Sequence, residues 1–145
     1  VSRYRKVDPR IWNDKKFRSL TDQGKLVFLL LLTHPGMTAL GAMRGTPEGL
    51  AAEIHWKPEV FVEAFQKVLF QGMAKHDPEA SLIVLPNFLR YNRPESPNVV
   101  KAWVGAVDLL PECDLKTEVI TSARDIAEGM SDGFKQAFVG AFGNG

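Results

Sequence analysis

Residues 46–72 read TPEGLAAEIHWKPEVFVEAFQKVLFQG, and the punctuation of this stretch decides the fold. Thr46 followed by Pro47 is a capping residue followed by a proline at the first helical position, where a missing N–H costs nothing. Leu50, Ala51 and Ile54 form the apolar side of a short helix ending near His55. Only Trp56 and Lys57 precede Pro58, which opens a second helix by the same logic. That helix runs to Gln71, with Val60, Phe61, Ala64, Phe65, Val68 and Leu69 at helical spacing and Gly72 where a left-handed cap belongs. Lys57 is a poor cap, so the Trp56–Phe61 pair, spaced as a hydrophobic staple, is expected to hold the turn. Two helices on a tight turn are the core of a helix-turn-helix.

The flanks extend this reading. Upstream, Thr21 caps a helix that reaches His34-Pro35-Gly36, with Asp22 in its first turn. Between Leu26 and Leu32 this helix is apolar on every side, so it is either central to the core or shared with a partner chain. Met37–Met43 reads as a short strand containing Gly41. Downstream, Met73–His76 and Leu82–Leu85 flank the turn-prone Asp77-Pro78-Glu79 and read as a β-hairpin with a loop of about five residues. The order helix, strand, helix, turn, helix, hairpin predicts a mainly α fold with a small β-hairpin: a winged helix-turn-helix followed by extra C-terminal helices. The expected division is residues 1–110 as the winged helix domain with a basic N-terminal arm, and 111–145 as a helical appendage.

In the arm, Arg3, Arg5, Lys6, Arg10, Lys15, Lys16 and Arg18 stand against Asp8 and Asp14. Tyr4, Val7, Ile11, Trp12 and Phe17 interleave with them as anchors, and Ile11–Ser19 has room for a helical turn. Later helices are expected from Ser96-Pro97 to before Pro111, over Leu115–Met130 and over Ser131–Phe142, with Gly143-Asn144-Gly145 as a loop.

The totals are those of a globular chain able to bury a core, with 145 residues, 45% of them hydrophobic and 24% charged. A single cysteine, Cys113, rules out an internal disulfide and fits a reducing cytosol. The longest apolar run, Leu26–Leu32, is far short of the roughly 20 residues that span a bilayer, and the polar N-terminus has no secretory h-region. The net charge of +1 hides an asymmetry. Residues 1–101 carry fifteen Lys and Arg against ten Asp and Glu, and residues 102–145 carry three against seven. A basic front and an acidic tail suit a domain that meets a polyanion at one end and something else at the other, or else the charges are uneven scatter on a solvated surface.

In a winged helix the second helix of the pair enters the major groove. Gln66 has the geometry for adenine, and Lys57 and Lys67 for phosphate or guanine. Glu59 and Glu63 oppose phosphate; either they serve the helix N-terminus, or one accepts from a cytosine amino group. Arg44 before the pair, Lys75 on the wing, and Arg90 and Arg93 after it are the candidate phosphate contacts. Arg90 and Arg93 are equally read as bridges to Glu95 or to loop carbonyls. His34, His55 and His76 lack metal-ligand spacing to one another or to Cys113, and no glycine-rich phosphate loop is present. No catalytic residue, metal or cofactor is therefore expected, and the chain reads as a binding protein and not an enzyme.

Two stretches resemble phage and prophage replication-initiation proteins, the replisome organisers. One is Arg5-Lys6-Val7-Asp8-Pro9-Arg10-Ile11-Trp12. The other is Leu85-Pro86-Asn87-Phe88-Leu89-Arg90-Tyr91-Asn92, with Pro94 and then Ser96-Pro97-Asn98-Val99-Val100-Lys101-Ala102-Trp103. The resemblance covers residues 3–110 and implies an N-terminal winged helix domain similar to that of the primosomal protein DnaD. It further implies binding to double-stranded DNA at a phage origin and recruitment of the replicative helicase or its loader. In DnaD-like proteins this domain also self-associates, which leaves two alternatives. One is a homo-oligomeric scaffold with weak DNA affinity; the other, on the same fold, is a phage transcription regulator.

Overall fold

The computed structural model describes residues 4–143; Arg3 of the arm and the terminal Asn144-Gly145 lie outside the described residues. The chain is mainly helical, with a small three-stranded antiparallel sheet. The first three α-helices start on side-chain caps, while the later ones carry no side-chain cap bond. Helix α1 spans Lys15–Ser19 and α2 spans Asp22–Thr33, the latter capped by Thr21, whose Oγ1 accepts the Gly24 N–H at 3.1 Å. Helix α3 spans Pro47–Glu53, with Thr46 Oγ1 accepting the Gly49 N–H at 3.0 Å. Losing either cap would cost about 1 kcal/mol. Helix α4 spans Pro58–Phe70 and lacks a side-chain cap at Lys57, as its sequence implies. The Trp56 ring lies 6.1 Å from that of Phe61, so the staple forms.

The sheet corrects one expectation. The strand β1 is Ala42–Arg44, not Met37–Met43. Thr38 is the reason: its N–H and hydroxyl both donate to the Ala42 carbonyl, at 3.2 and 2.6 Å, and its own carbonyl accepts the Gly41 N–H at 3.1 Å. Residues 38–41 are thereby closed into a turn before any ladder starts. Gly41 sits there at φ +76°, and an added Cβ would lie 2.3 Å from Phe88 Cβ. Only glycine meets both conditions.

Strands β2 (Lys75–Asp77) and β3 (Leu82–Val84) form the hairpin, and the sheet order is β1-β3-β2. The central β3 is buried along its whole length. Helix α4 closes one face of the sheet, where Phe65 stacks edge-on against His76 at 5.2 Å. A short helix α5 (Phe88–Tyr91) follows; no periodicity announced it.

The C-terminal helices are α6 (Pro97–Asp108), α7 (Asp114–Glu128) and α8 (Asp132–Phe142). Helix α6 packs on α8, with Trp103 and Phe138 edge-to-face at 6.5 Å; α7 packs on α8, and also on β3 and α5. The turn between α6 and α7 is tied by Lys116, which is 6% exposed. Its Nζ donates to the Leu110 carbonyl at 3.1 Å and to Glu112 at 2.6 Å, so the buried charge is paired. No described helix is long and apolar enough to cross a membrane.

Candidate nucleic-acid interface

Helix α4 buries Phe61, Ala64, Phe65 and Val68 against α2 and α3. That inward stripe fixes what faces out: Lys57, Glu59, Glu63, Gln66, Lys67 and Phe70 are exposed. Gln66 and Lys67 are thus available to a ligand, as the spacing requires. Phe70, at 88% exposure, was not anticipated as a surface residue. Together α3 and α4, with the turn between them, carry Glu48, Glu53, Glu59 and Glu63 against Lys57 and Lys67. The helix pair is acidic, and a polyanion approaching it is repelled more than attracted.

Lys75, Arg90 and Arg93 line a groove of about 410 Å³ on another part of the surface. Its other wall is α7, with Glu118, Ser122 and Asp125. Lys75 Nζ bonds Glu118 at 3.0 Å. Consecutive strand residues point to opposite faces. Accordingly His76 meets α4 while Lys75 meets α7. Arg90 and Arg93 are exposed at the groove, and neither bonds Glu95 among the described residues.

Arg44 stands apart from both groups. It pairs in register with Leu82, whose other neighbour is Asp77, so it lies at the opposite end of the sheet from Lys75. It borders a shallow hollow with Thr46, Ser81 and the His34–Glu53 pair. In that pair His34 Nε2 lies 3.0 Å from Glu53, while His34 Nδ1 accepts the Gly36 N–H at 2.9 Å. Both imidazole nitrogens are thus committed to holding the end of α2 against α3. The seven candidate contacts therefore fall in three places: Lys57, Gln66 and Lys67 on α4, Lys75, Arg90 and Arg93 at the groove, and Arg44 alone.

Cations outside those seven make a further group. The arm lies along α5: Arg5 donates to the Met37 carbonyl at 2.6 Å with its guanidinium 5.7 Å from the Phe88 ring centre, and the Lys6 N–H donates to Asn92 Oδ1 at 2.8 Å. A 3-10 turn, Pro9–Asn13, follows, with Asp8 capping it. Arg10 forks onto Asp8, whose carboxyl is held below its ordinary range by those hydrogen bonds. Lys6, Lys15, Lys16 and Arg18 are exposed and touch no carboxylate among the described residues. Their density was visible in the sequence as a charge run; that the Lys6 amide bonds Asn92, between Arg90 and Arg93 in the chain, was not. No known protein family matches the chain, and neither does any curated protein or solved structure.

Proposed function

We propose that the chain is the DNA-binding module of a phage or prophage replication initiator, acting without catalysis in the cytoplasm of a bacterial host. On this reading α3 and α4 are a helix-turn-helix, β2 and β3 are its wing, and the module helps bring the replicative helicase or its loader to an origin. The element order supports the winged helix part, and the two replication-protein stretches support the setting. The observation that carries DNA binding is the arm on α5, which brings Lys6 beside the segment holding Arg90 and Arg93 and leaves the three side chains exposed. Phosphate contacts from such groups give affinity without sequence information.

The test is duplex binding by fluorescence anisotropy at several salt concentrations. Affinity is expected to fall steeply with salt, and Arg90→Ala with Arg93→Ala to reduce the log–log slope by about two. Binding that ignores salt, or a double variant that binds like the parent, would overturn the reading.

A second reading is favoured by Phe70. An 88% exposed phenylalanine beside Glu63, Gln66 and Lys67 is the composition of a protein-docking face more than of a reading helix. On that reading α4 meets a protein partner and DNA affinity is weak. Loss of partner capture in Phe70→Ser, with DNA binding intact, would favour it.

A further inference from the structure

Two exposed aromatics lie away from α4, the helix that carries the exposed Phe70. Trp12 is 61% exposed, and Tyr91 is 46% exposed. Trp12 belongs to the 3-10 turn of the arm, where its ring is held 5.2 Å from the buried ring of Phe17 in an edge contact. Tyr91 ends α5, next to Asn92, which anchors the arm through Lys6. The Lys6 amide meets Asn92 next to Tyr91, and Lys15, Lys16 and Arg18 follow Trp12 on α1, which holds its partner ring Phe17; none of these four side chains bonds a carboxylate among the described residues.

Leaving a tryptophan largely in water wastes burial that folding could have used. A π-face among unpaired cations is useful to one class of polyanion above others. In a duplex the base faces are hidden in the stack, so Trp12 and Tyr91 could reach only edges and backbone. In a single strand the faces are open, and aromatic stacking with cationic tracking of the backbone is the general mode of binding. We propose that the arm and α5 form a binding strip for single-stranded nucleic acid, with Trp12 and Tyr91 as stacking platforms and Lys6, Lys15, Lys16 and Arg18 as backbone contacts. The strip deepens the DNA-binding reading, on which it rests for the polyanion alone. It needs no base reading by α4.

The experiment is titration of the whole chain with an oligothymidylate of about twelve nucleotides, within the range that one small domain covers. Intrinsic fluorescence and anisotropy are read in parallel. Of the other two tryptophans, Trp103 is 1% exposed and Trp56 is half-buried, so Trp12 should dominate the quench. Trp12→Ala and Tyr91→Ala are each expected to weaken oligothymidylate binding about tenfold. Trp12→Phe should retain most affinity while losing the quench. An abasic oligonucleotide of equal length should bind like the alanine variants. If the abasic chain binds as well as oligothymidylate, or if Trp12→Ala and Tyr91→Ala bind like the parent, the strip is an electrostatic surface only and the proposal fails. A polyglutamate that competes as strongly as oligothymidylate would likewise overturn it. A duplex arm run beside these separates the two readings: loss of duplex binding with oligothymidylate binding intact removes the proposed function and leaves the strip standing.

Discussion

The body of the protein through α5 and the three helices after it solve the same packing problem with opposite surfaces. The body closes a buried central strand between α4 on one face and α7 on the other. The later helices extend the same core through Trp103 and Phe138. The residues up to 101 carry an excess of cations and the remainder an excess of acids. From sequence, this asymmetry suggested two separate ends for two separate ligands. In the fold the two signs meet, because α7 lays Glu118 and Asp125 along the groove where Lys75, Arg90 and Arg93 stand. Part of the charge contrast is therefore spent inside the molecule, while Lys6, Lys15, Lys16 and Arg18 on the arm form no ion pair among the described residues.

The largest test of the comparison concerns whether the two regions are one cooperative fold. Trp103→Ala removes the largest fully buried side chain and should cost about 3–5 kcal/mol. If α7 couples the regions through β3, urea unfolding will shift as one transition. Two transitions, with only the second moved, would mean that the C-terminal helices ride on the body without supporting it. Gly41→Ala strikes the seam from the body's side. It forces alanine into φ +76° and drives its Cβ into Phe88, at the root of α5. A loss of about 2–4 kcal/mol is expected, read by the same unfolding assay.

A smaller effect sharpens the electrostatic half of the comparison. Glu118→Gln with Asp125→Asn removes the acids facing the groove. Lys75–Glu118 is half-exposed, so folding stability should change by less than about 1 kcal/mol. Duplex affinity, in contrast, should rise about three- to tenfold at low salt, because Lys75, Arg90 and Arg93 no longer face carboxylates. An unchanged affinity would show that the groove lies off the path of the DNA. The arm would then bear the whole of the phosphate contact.

Much of the fold was legible because its signals are local. Thr46-Pro47, Lys57-Pro58 and Gly72 punctuate α3 and α4 within a few residues, and the helices obey them. The strand before them was misplaced because Thr38 closes a turn with Ala42, a bond that no alternation pattern encodes. Helix α5 was missed because four residues are too few to show a period. The candidate interface was less legible for a different reason. Charge can be counted along a chain, but pairing is tertiary: Lys75 meets Glu118 forty-three positions away, and the Lys6 amide meets Asn92 eighty-six positions away. The inward stripe of α4 points Lys57, Glu59, Glu63, Gln66 and Lys67 outward, as the structure has them, but it also assigns Gln71, which is half-buried, and omits Phe70. The acids of that face are legible in the sequence, whereas Phe70 follows the buried Phe61, Phe65 and Val68 and reads as one more apolar residue until the fold exposes it.

The smallest effect concerns pH and probes the body's side of the seam alone. His76 sits between Lys75, which reaches α7, and Asp77, and its ring packs on Phe65 of α4. Burial lowers its pKa below the ordinary histidine value of about 6.5, outweighing the opposing pull of Asp77 and Glu48. The sign follows directly. Above about pH 6.5 the ring is neutral in both folded and unfolded chains and costs nothing; as pH falls below that value, the unfolded chain takes the proton more readily, and stability is lost until the lowered folded pKa is passed. His76→Gln should therefore flatten the stability profile just below pH 6.5. It should leave untouched the loss expected from Asp8, whose lowered pKa places its window below about 3.9. Thermal melts of parent and variant between pH 7 and pH 5 would check this. If the parent is flat across that interval, protonated His76 is accommodated without cost, and β2 is looser against α4 than its contact with Phe65 implies.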